Sequence, residues 1–347
     1  MKIILFNNCW PTTVHPTEGT YAKTIAEALK KAGAVVEVCA MCRKSNKWMD
    51  YIRFYCWLAL KPLPKNSVLY INHYVFLFPL IVRLLFIHRR CIFHWHGEEL
   101  IANGRIIRFL RWLMKKTFQT DAVHISPSRY YANAVISKKL EIPKSNIVIS
   151  PSGGVDTDVF NGNIRPIEEA SMVHIGYSAA LSQHKGMLLL MNLITNKKEL
   201  ELRLGHKVHF HIIEYGKELN AFKNYLSQSK TDCITLYPSF NKNEMPNFYK
   251  NIHLLLFLSK RESLGLTVIE SMACGVPVLA KNTCAMPEMV LPRVTGELVS
   301  ENPTTEELLD KLALMVAHFK EYQPRKFIIQ QYSKESVVNG YKKLLSL

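Results

Sequence analysis

Twice along the chain, short runs rich in β-branched and aromatic residues alternate with longer segments of helical periodicity. This repeated alternation narrows the possible folds more than any other feature. In the first half the strand-like runs fall at 2–6, 34–39, 68–71, 91–95, 122–125 and 146–149, with helical patterns at 19–32, 47–60, 76–87, 103–118 and from 128. The densest turn cluster, residues 150–156, interrupts the rhythm, which restarts near Arg165. Strands are then expected at 172–176, 207–213, 233–236, 253–258 and 276–280. Helices are expected at 185–194, 217–228, 243–250, 266–274, 304–321 and 333–346. Such alternation predicts parallel sheets with helices on both faces.

A chain of 347 residues exceeds what one hydrophobic core usually spans. The expected organisation is therefore α/β, two Rossmann-like doubly wound domains, 1–165 and 166–347, facing across a cleft, with the helix at 333–346 packing back on the first. The apolar stretch from Val68 to Ile87 is interrupted by Asn72, His73, Pro79 and Arg83, which favours a strand and a buried helix over a membrane span. Eight scattered cysteines with no secretory leader ahead of them suit a reduced cytoplasm, and Cys39-x-x-Cys42 has no second pair at zinc-ligand spacing.

Residues 258–278 carry the most chemistry. An apolar strand enters a loop, Gly265 lets backbone approach a ligand, and a helix opens with the amides of Leu266 and Thr267 unbonded within it. A helix amino terminus of this kind holds a diphosphate through N–H groups and the macrodipole. Glu262 and Glu270 flank it, suited to hydroxyls on either side of a phosphate-rich centre, although glutamates also suit a solvent-facing helix start. No Asp-x-Asp-like metal pair accompanies the site, so no metal is expected.

The same block, Glu262-Ser263-Leu264-Gly265-Leu266 with Glu270 ahead of Met272-Ala273-Cys274-Gly275-Val276-Pro277-Val278, resembles the signature of glycosyltransferase family 4, a retaining family of GT-B fold. His96-Gly97, Gly154-Val155-Asp156 with Phe160, Lys185-Gly186 and the segment from Tyr332-Ser333 to Tyr341 resemble further motifs of that family, in the same order. Three departures stand out: Ala179-Ala180 where the family has Gly-Arg, Glu214-Tyr215 for Gly-Asp, and Cys284-Ala285 for Gly-Gly.

The resemblance implies a bacterial surface-polysaccharide or lipopolysaccharide glycosyltransferase. Glu270 would bind ribose, while Lys185, Gly186, Ser263, Gly265 and the amides near Leu266 and Thr267 would serve the diphosphate. Gly19 would approach the diphosphate from the first domain. His96 and Glu262 would act at the sugar as the catalytic pair. The co-substrate would be a nucleoside-diphosphate sugar, a UDP-sugar ahead of a GDP-sugar, with no other cofactor.

Charge adds an expectation about partners. Residues 1–165 hold 23 Lys/Arg against 10 Asp/Glu, and 166–347 hold 21 against 18, so the net charge of +16 sits mostly in the first half. Basic residues at 105, 108, 111, 115 and 116 interleave with Phe109 and Trp112, a pattern that suits an anionic membrane surface and a lipid-linked or glycan acceptor. Core packing with a solvated basic stripe is the competing reading. Nucleic acid is not expected, since no recognition module is present. A sugar-nucleotide epimerase and a noncatalytic sugar-nucleotide-binding subunit of the same fold are the alternatives to transfer.

Overall fold

The computed structural model describes residues 1–15, 18–43, 47–101, 104–162, 167, 170–229 and 232–346. It divides into two units, Met1–Gly154 with Lys334–Leu347, and Val155–Ser333.

The first unit is built on a parallel sheet of β1 (Lys2–Asn7), β2 (Val35–Ala40), β3 (Ser67–Asn72), β4 (Cys91–His94), β5 (Val123–Ser126) and β6 (Ile147–Ile149), in the order β2-β1-β3-β4-β5-β6. Its strands are apolar on both faces because both are covered. Ile4, Phe6, Leu69, Ile71 and Phe93 point to one core, which the helices Lys47–Leu60, Phe78–Leu84 and Arg105–Lys115 complete with Phe54, Leu58, Leu80 and Met114. Ile3, Leu5, Val68 and Tyr70 point the other way, against Ile25 and Leu29 of the helix Thr20–Lys31 and Val337, Tyr341 and Leu344 of the last helix, Lys334–Leu345.

The second unit repeats the plan with β7 (Met172–Tyr177), β8 (Lys207–Ile213), β9 (Ile234–Tyr237), β10 (Leu254–Phe257), β11 (Val278–Lys281) and β12 (Gly296–Val299), ordered β12-β11-β10-β7-β8-β9. Strand order reverses between β1 and β3 in one sheet and between β10 and β7 in the other. In open α/β sheets the crevice at such a reversal, beyond the strand carboxyl ends, is where ligands bind.

Several details differ from the sequence expectation. The expected boundary at 165 lies outside the described residues. The division falls at Gly154, because Val155 already pairs with Ser333 and donates to Tyr332 O (2.9 Å), while Arg325 Nη1 holds Phe160 O (2.7 Å). Strand β12 and the helix Pro324–Tyr332 were not expected. Gly296 opens β12 because a Cβ there would come within 2.0 Å of Val278 O, so a residue that reads as a turn is required by strand pairing. The buried carboxylate of Glu297 beside it is satisfied by Arg293 N (3.1 Å), Tyr322 OH (3.0 Å) and Lys311 Nζ (3.2 Å). No described helix is long and apolar enough to cross a membrane.

Candidate active site

In the second unit three loops at adjacent strand ends are stitched together. After β7 the chain makes a single tight turn, Gln183–Lys185, before the helix Met187–Thr195 begins at Gly186. Lys185 therefore precedes the helix, which corrects the expected helical span of 185–194. Gly186 has φ 90°, and a Cβ would meet Leu258 Cβ at 2.5 Å. That contact and the bond from Lys260 N to His184 O (2.9 Å) press the β7 loop onto the β10 loop. The loop after β8 joins through Leu181 N to Tyr215 O (2.7 Å) and Glu218 N to Leu181 O (3.0 Å).

Lys185 Nζ and Glu262 Oε1 meet at 2.5 Å across this seam. The helix Leu266–Ala273 starts at Gly265, in the left-handed region at φ 93°. A Cβ on Gly265 would also come within 2.8 Å of Met286 Cε, so packing as well as dihedral requires glycine. The first amide bonded within the helix is Val268 N, to Gly265 O (3.0 Å), directly after Leu266 and Thr267. Ser263, half-buried, lies in the loop between Glu262 and Gly265. Ser259 Oγ is buried at the end of β10 with no hydrogen-bond partner among the described residues, a polar group that a ligand could satisfy.

Glu270 faces inward, and burial pushes its carboxyl up to about 7, with Lys242 a weaker opposing influence. Desolvation raises Tyr215, and the charges of Glu262 and Glu270 raise it further. Tyr249, which donates to Thr267 O at 3.3 Å, is raised well above the ordinary range by burial and then by Glu270. The charges of both glutamates thus act on one tyrosine, Tyr215. Sequence reasoning missed Tyr215, Tyr249 and Ser259; Tyr215 was visible only as a departure from a Gly-Asp pair.

In the first unit Gly19, at φ 68°, caps the helix Thr20–Lys31, and a Cβ would meet Cys9 O at 2.7 Å. The helix start is pressed against the chain just after β1. Tyr21, in its first turn, donates to Asn7 Oδ1 (2.9 Å), and its ring lies 4.6 Å from that of His96, which follows β4. Gly19 and His96 are thereby brought to one end of the sheet, at the β1–β3 reversal. His96 is half-buried, its Nε2 2.8 Å from Asn72 Oδ1, with His94 and His73 rings at 4.3 and 4.8 Å. Burial, and then the two neighbouring imidazoles, hold it well below the ordinary histidine range, so it is neutral at pH 7. Among the described residues no group of three or more His, Cys, Asp or Glu is placed to hold a metal ion.

Residues 170–328 match the family described as Glycosyl transferases group 1. An uncharacterized 41.2 kDa protein in the cps region of Klebsiella pneumoniae is 28% identical over 171 residues, 49% of this chain and 45% of that protein, so the match spans less than half of the relative. Lipopolysaccharide 1,2-N-acetylglucosaminetransferase of Salmonella typhimurium is 23% identical over 307 residues, 83% of this chain and 78% of the relative. Among solved structures, Anabaena Alr3699/HepE in complex with UDP superposes with a TM-score of 0.75 at 14% identity, covering 100% of both chains, which is a likeness of fold. The two Rossmann-like units make a GT-B fold. Over residues 170–328 the second unit is thus similar to the glycosyl transferases group 1.

Proposed function

We propose that the chain moves a hexose, with retention of anomeric configuration, from a nucleoside-diphosphate sugar to a lipid-linked or glycan acceptor in cell-surface polysaccharide assembly. A UDP-sugar is favoured over a GDP-sugar as donor. The observation that carries this reading is the gathering of Lys185, Glu262, the Leu266–Thr267 amides and Glu270 at the β10–β7 reversal. Helix amides and Lys185 receive the diphosphate, and Glu270 accepts from the ribose hydroxyls. As the glycosidic bond to phosphate lengthens, negative charge grows on the diphosphate, and these prepositioned dipoles and the ammonium stabilise it without reorganisation. Glu262 and His96 are read as the residues that contact the sugar. Because the anion is held by amides and an ammonium, turnover is expected to persist in chelator. The test is mass spectrometry of products from a panel of nucleotide sugars with a membrane extract as acceptor. Nucleotide binding without any glycosylated product would favour the noncatalytic subunit instead, and an altered nucleotide sugar the epimerase.

The acceptor side is read from the three helices on one face of the first sheet. Their outer surfaces leave Trp48, Ile52, Trp57, Ile106, Phe109 and Trp112 exposed. Residues 47–116 hold twelve Lys/Arg against three Asp/Glu. Arg111 is committed to Leu100 O (2.7 Å) and Lys115 to Glu141 (2.6 Å), which leaves Arg105, Arg108 and Lys116 as the exposed basic residues of that helix region. Aromatic side chains among exposed cations suit the headgroup layer of an anionic bilayer, the cytoplasmic face of a cell membrane in this reading.

A further inference from the structure

His96 is fixed from two directions by residues outside the proposed contacts. Asn72 ends β3 and is fully buried. Its Nδ2 donates to Phe6 O at 3.3 Å, so the atom facing His96 Nε2 at 2.8 Å is the amide oxygen, an acceptor only. His96 Nε2 must therefore carry a proton. Against the face of the ring lies His94, nearly parallel, with centroids 4.3 Å apart.

His94 is in turn held by a chain of hydroxyls that ends in the last helix. Tyr341 OH lies 2.9 Å from Tyr70 OH and 3.4 Å from Ser152 O. Tyr70 OH in turn is hydrogen-bonded to His94 Nδ1 at 2.7 Å. All three side chains are buried, and all belong to the first unit. Two buried hydroxyls and a buried amide are expensive to keep in a core unless fully bonded. Here each bond leads toward one imidazole. Tyr21 and His73 close its remaining sides.

We propose that Asn72 and Tyr70 are positioning residues for His96, Asn72 by holding the proton of its ring on Nε2 and Tyr70 by holding the His94 ring on which it stacks. The inference rests on the reading of His96 as a sugar-contacting group. A residue that must meet a hydroxyl near the reacting carbon needs one orientation and one tautomer, since misplacement by an ångström costs on the order of a hundredfold in rate. The ring stays neutral at pH 7 for the reasons given above, so the Nε2–H form is the one present.

The test combines histidine ring nitrogen NMR of the full chain with kinetics on the nucleotide sugar found active in the panel. His96 signals are assigned by their loss in His96→Gln. Wild type should show His96 protonated at Nε2 at pH 7. Asn72→Leu should abolish that preference and lower kcat on the order of tenfold to a hundredfold, with KM nearly unchanged. Asn72→Asp keeps an acceptor, so it should retain Nε2–H and recover most of kcat, while its charge moves the His96 titration upward. Tyr70→Phe removes one oxygen with little volume change; it should shift the His94 ring signals and lower kcat several-fold, with the melting temperature recorded alongside. A wild-type His96 protonated at Nδ1 instead, or Asn72→Leu and Tyr70→Phe proteins that are folded and turn over as wild type while His96→Ala does not, would overturn the proposal. Full turnover by His96→Ala would instead remove the catalytic reading of His96.

Discussion

Lys185 Nζ and Glu262 Oε1 form an ion pair at 2.5 Å between the loops that leave β7 and β10, the two strands at which the second sheet reverses its order. Both side chains are partly exposed, so the pair itself adds little to stability. Its consequence is chemical: the ammonium proposed to receive the diphosphate is partly neutralised by Glu262. Lys185→Ala should weaken UDP binding by about 1.5–3 kcal/mol, the scale of a charge-assisted hydrogen bond. Glu262→Ala should leave UDP affinity unchanged or improved, because it releases Lys185, yet it should depress kcat. Calorimetric titration of UDP beside steady-state kinetics separates the two, and loss of UDP binding in Glu262→Ala alone would reverse the donor orientation argued above.

Glu270 gives a second prediction with a definite sign. Its carboxyl is pushed up from 4.5 to about 7 by burial. The folded protein therefore binds more protons than the unfolded chain across that window, and stability falls as pH rises through it. Glu270→Gln should stabilise the protein by up to about 3 kcal/mol at pH 8 and by little at pH 4.5. UDP affinity should move the other way in wild type, rising from pH 6 to 8 as the carboxylate forms, and should be weak and flat with pH in Glu270→Gln. Urea unfolding and UDP titration at each pH provide both readouts; a stability gain that does not vary with pH would assign the effect to packing.

The second sheet carries a histidine cluster that the sequence did not announce. His174 Nδ1 and His211 Nε2 lie 2.8 Å apart, and His211 Nδ1 meets Tyr237 OH at 2.8 Å. His209 and His253 pack around them. Burial, then the neighbouring imidazoles of His174, His209 and His253, push His211 down to about 3. Here the unfolded chain binds the extra proton, so the stabilising contribution is complete above about pH 6.5 and is lost as pH falls toward 3. His211→Phe should cost about 1–2 kcal/mol at pH 7 through two lost hydrogen bonds, yet lose about 2–3 kcal/mol less than wild type between pH 6.5 and 4. Denaturant melts at the two pH values measure this; equal acid losses in both proteins would show that another group governs acid unfolding.

Strands such as Ile3–Phe6 and Val68–Ile71 are legible because a parallel strand covered on both faces must be apolar throughout. Strand β12 is not, because Gly296 is selected by the carbonyl of Val278 in another strand, and Glu297 by three partners distant in sequence. The helix Pro324–Tyr332 likewise hides behind a proline that reads as a stop but occupies its first turn. At the site, Glu262, Glu270 and Lys185 are legible because residue type and local spacing carry the chemistry. The Lys185–Glu262 bond, the tyrosine that both glutamates influence, and the hydroxyl chain from Tyr341 to His94 depend on which strand ends the topology makes neighbours. The five basic positions from 105 to 116 form one stripe in sequence, but the fold ties Arg111 and Lys115 to partners of their own.

Arg105, Arg108 and Lys116 are exposed beside Ile106, Phe109 and Trp112, which are 76%, 54% and 52% accessible, and Lys116 Nζ sits 4.0 Å from the centre of the Trp112 ring. Headgroup phosphate can draw the cations while the rings enter the acyl boundary, so binding should have an electrostatic and an apolar part. Flotation should recover more protein with phosphatidylglycerol vesicles than with phosphatidylcholine vesicles, and less as salt shortens the screening length from about 10 Å at 0.1 M to about 3 Å at 1 M. Arg105→Glu with Arg108→Glu should release the protein at low salt. Trp112→Ala should weaken binding at every salt concentration, because it removes the uncharged part. Neither change touches the second unit, so UDP affinity should match wild type in both. Equal recovery on the two lipids would remove the anionic surface from the account, and a salt-independent association lost with Trp112→Ala would identify the face as a purely apolar contact.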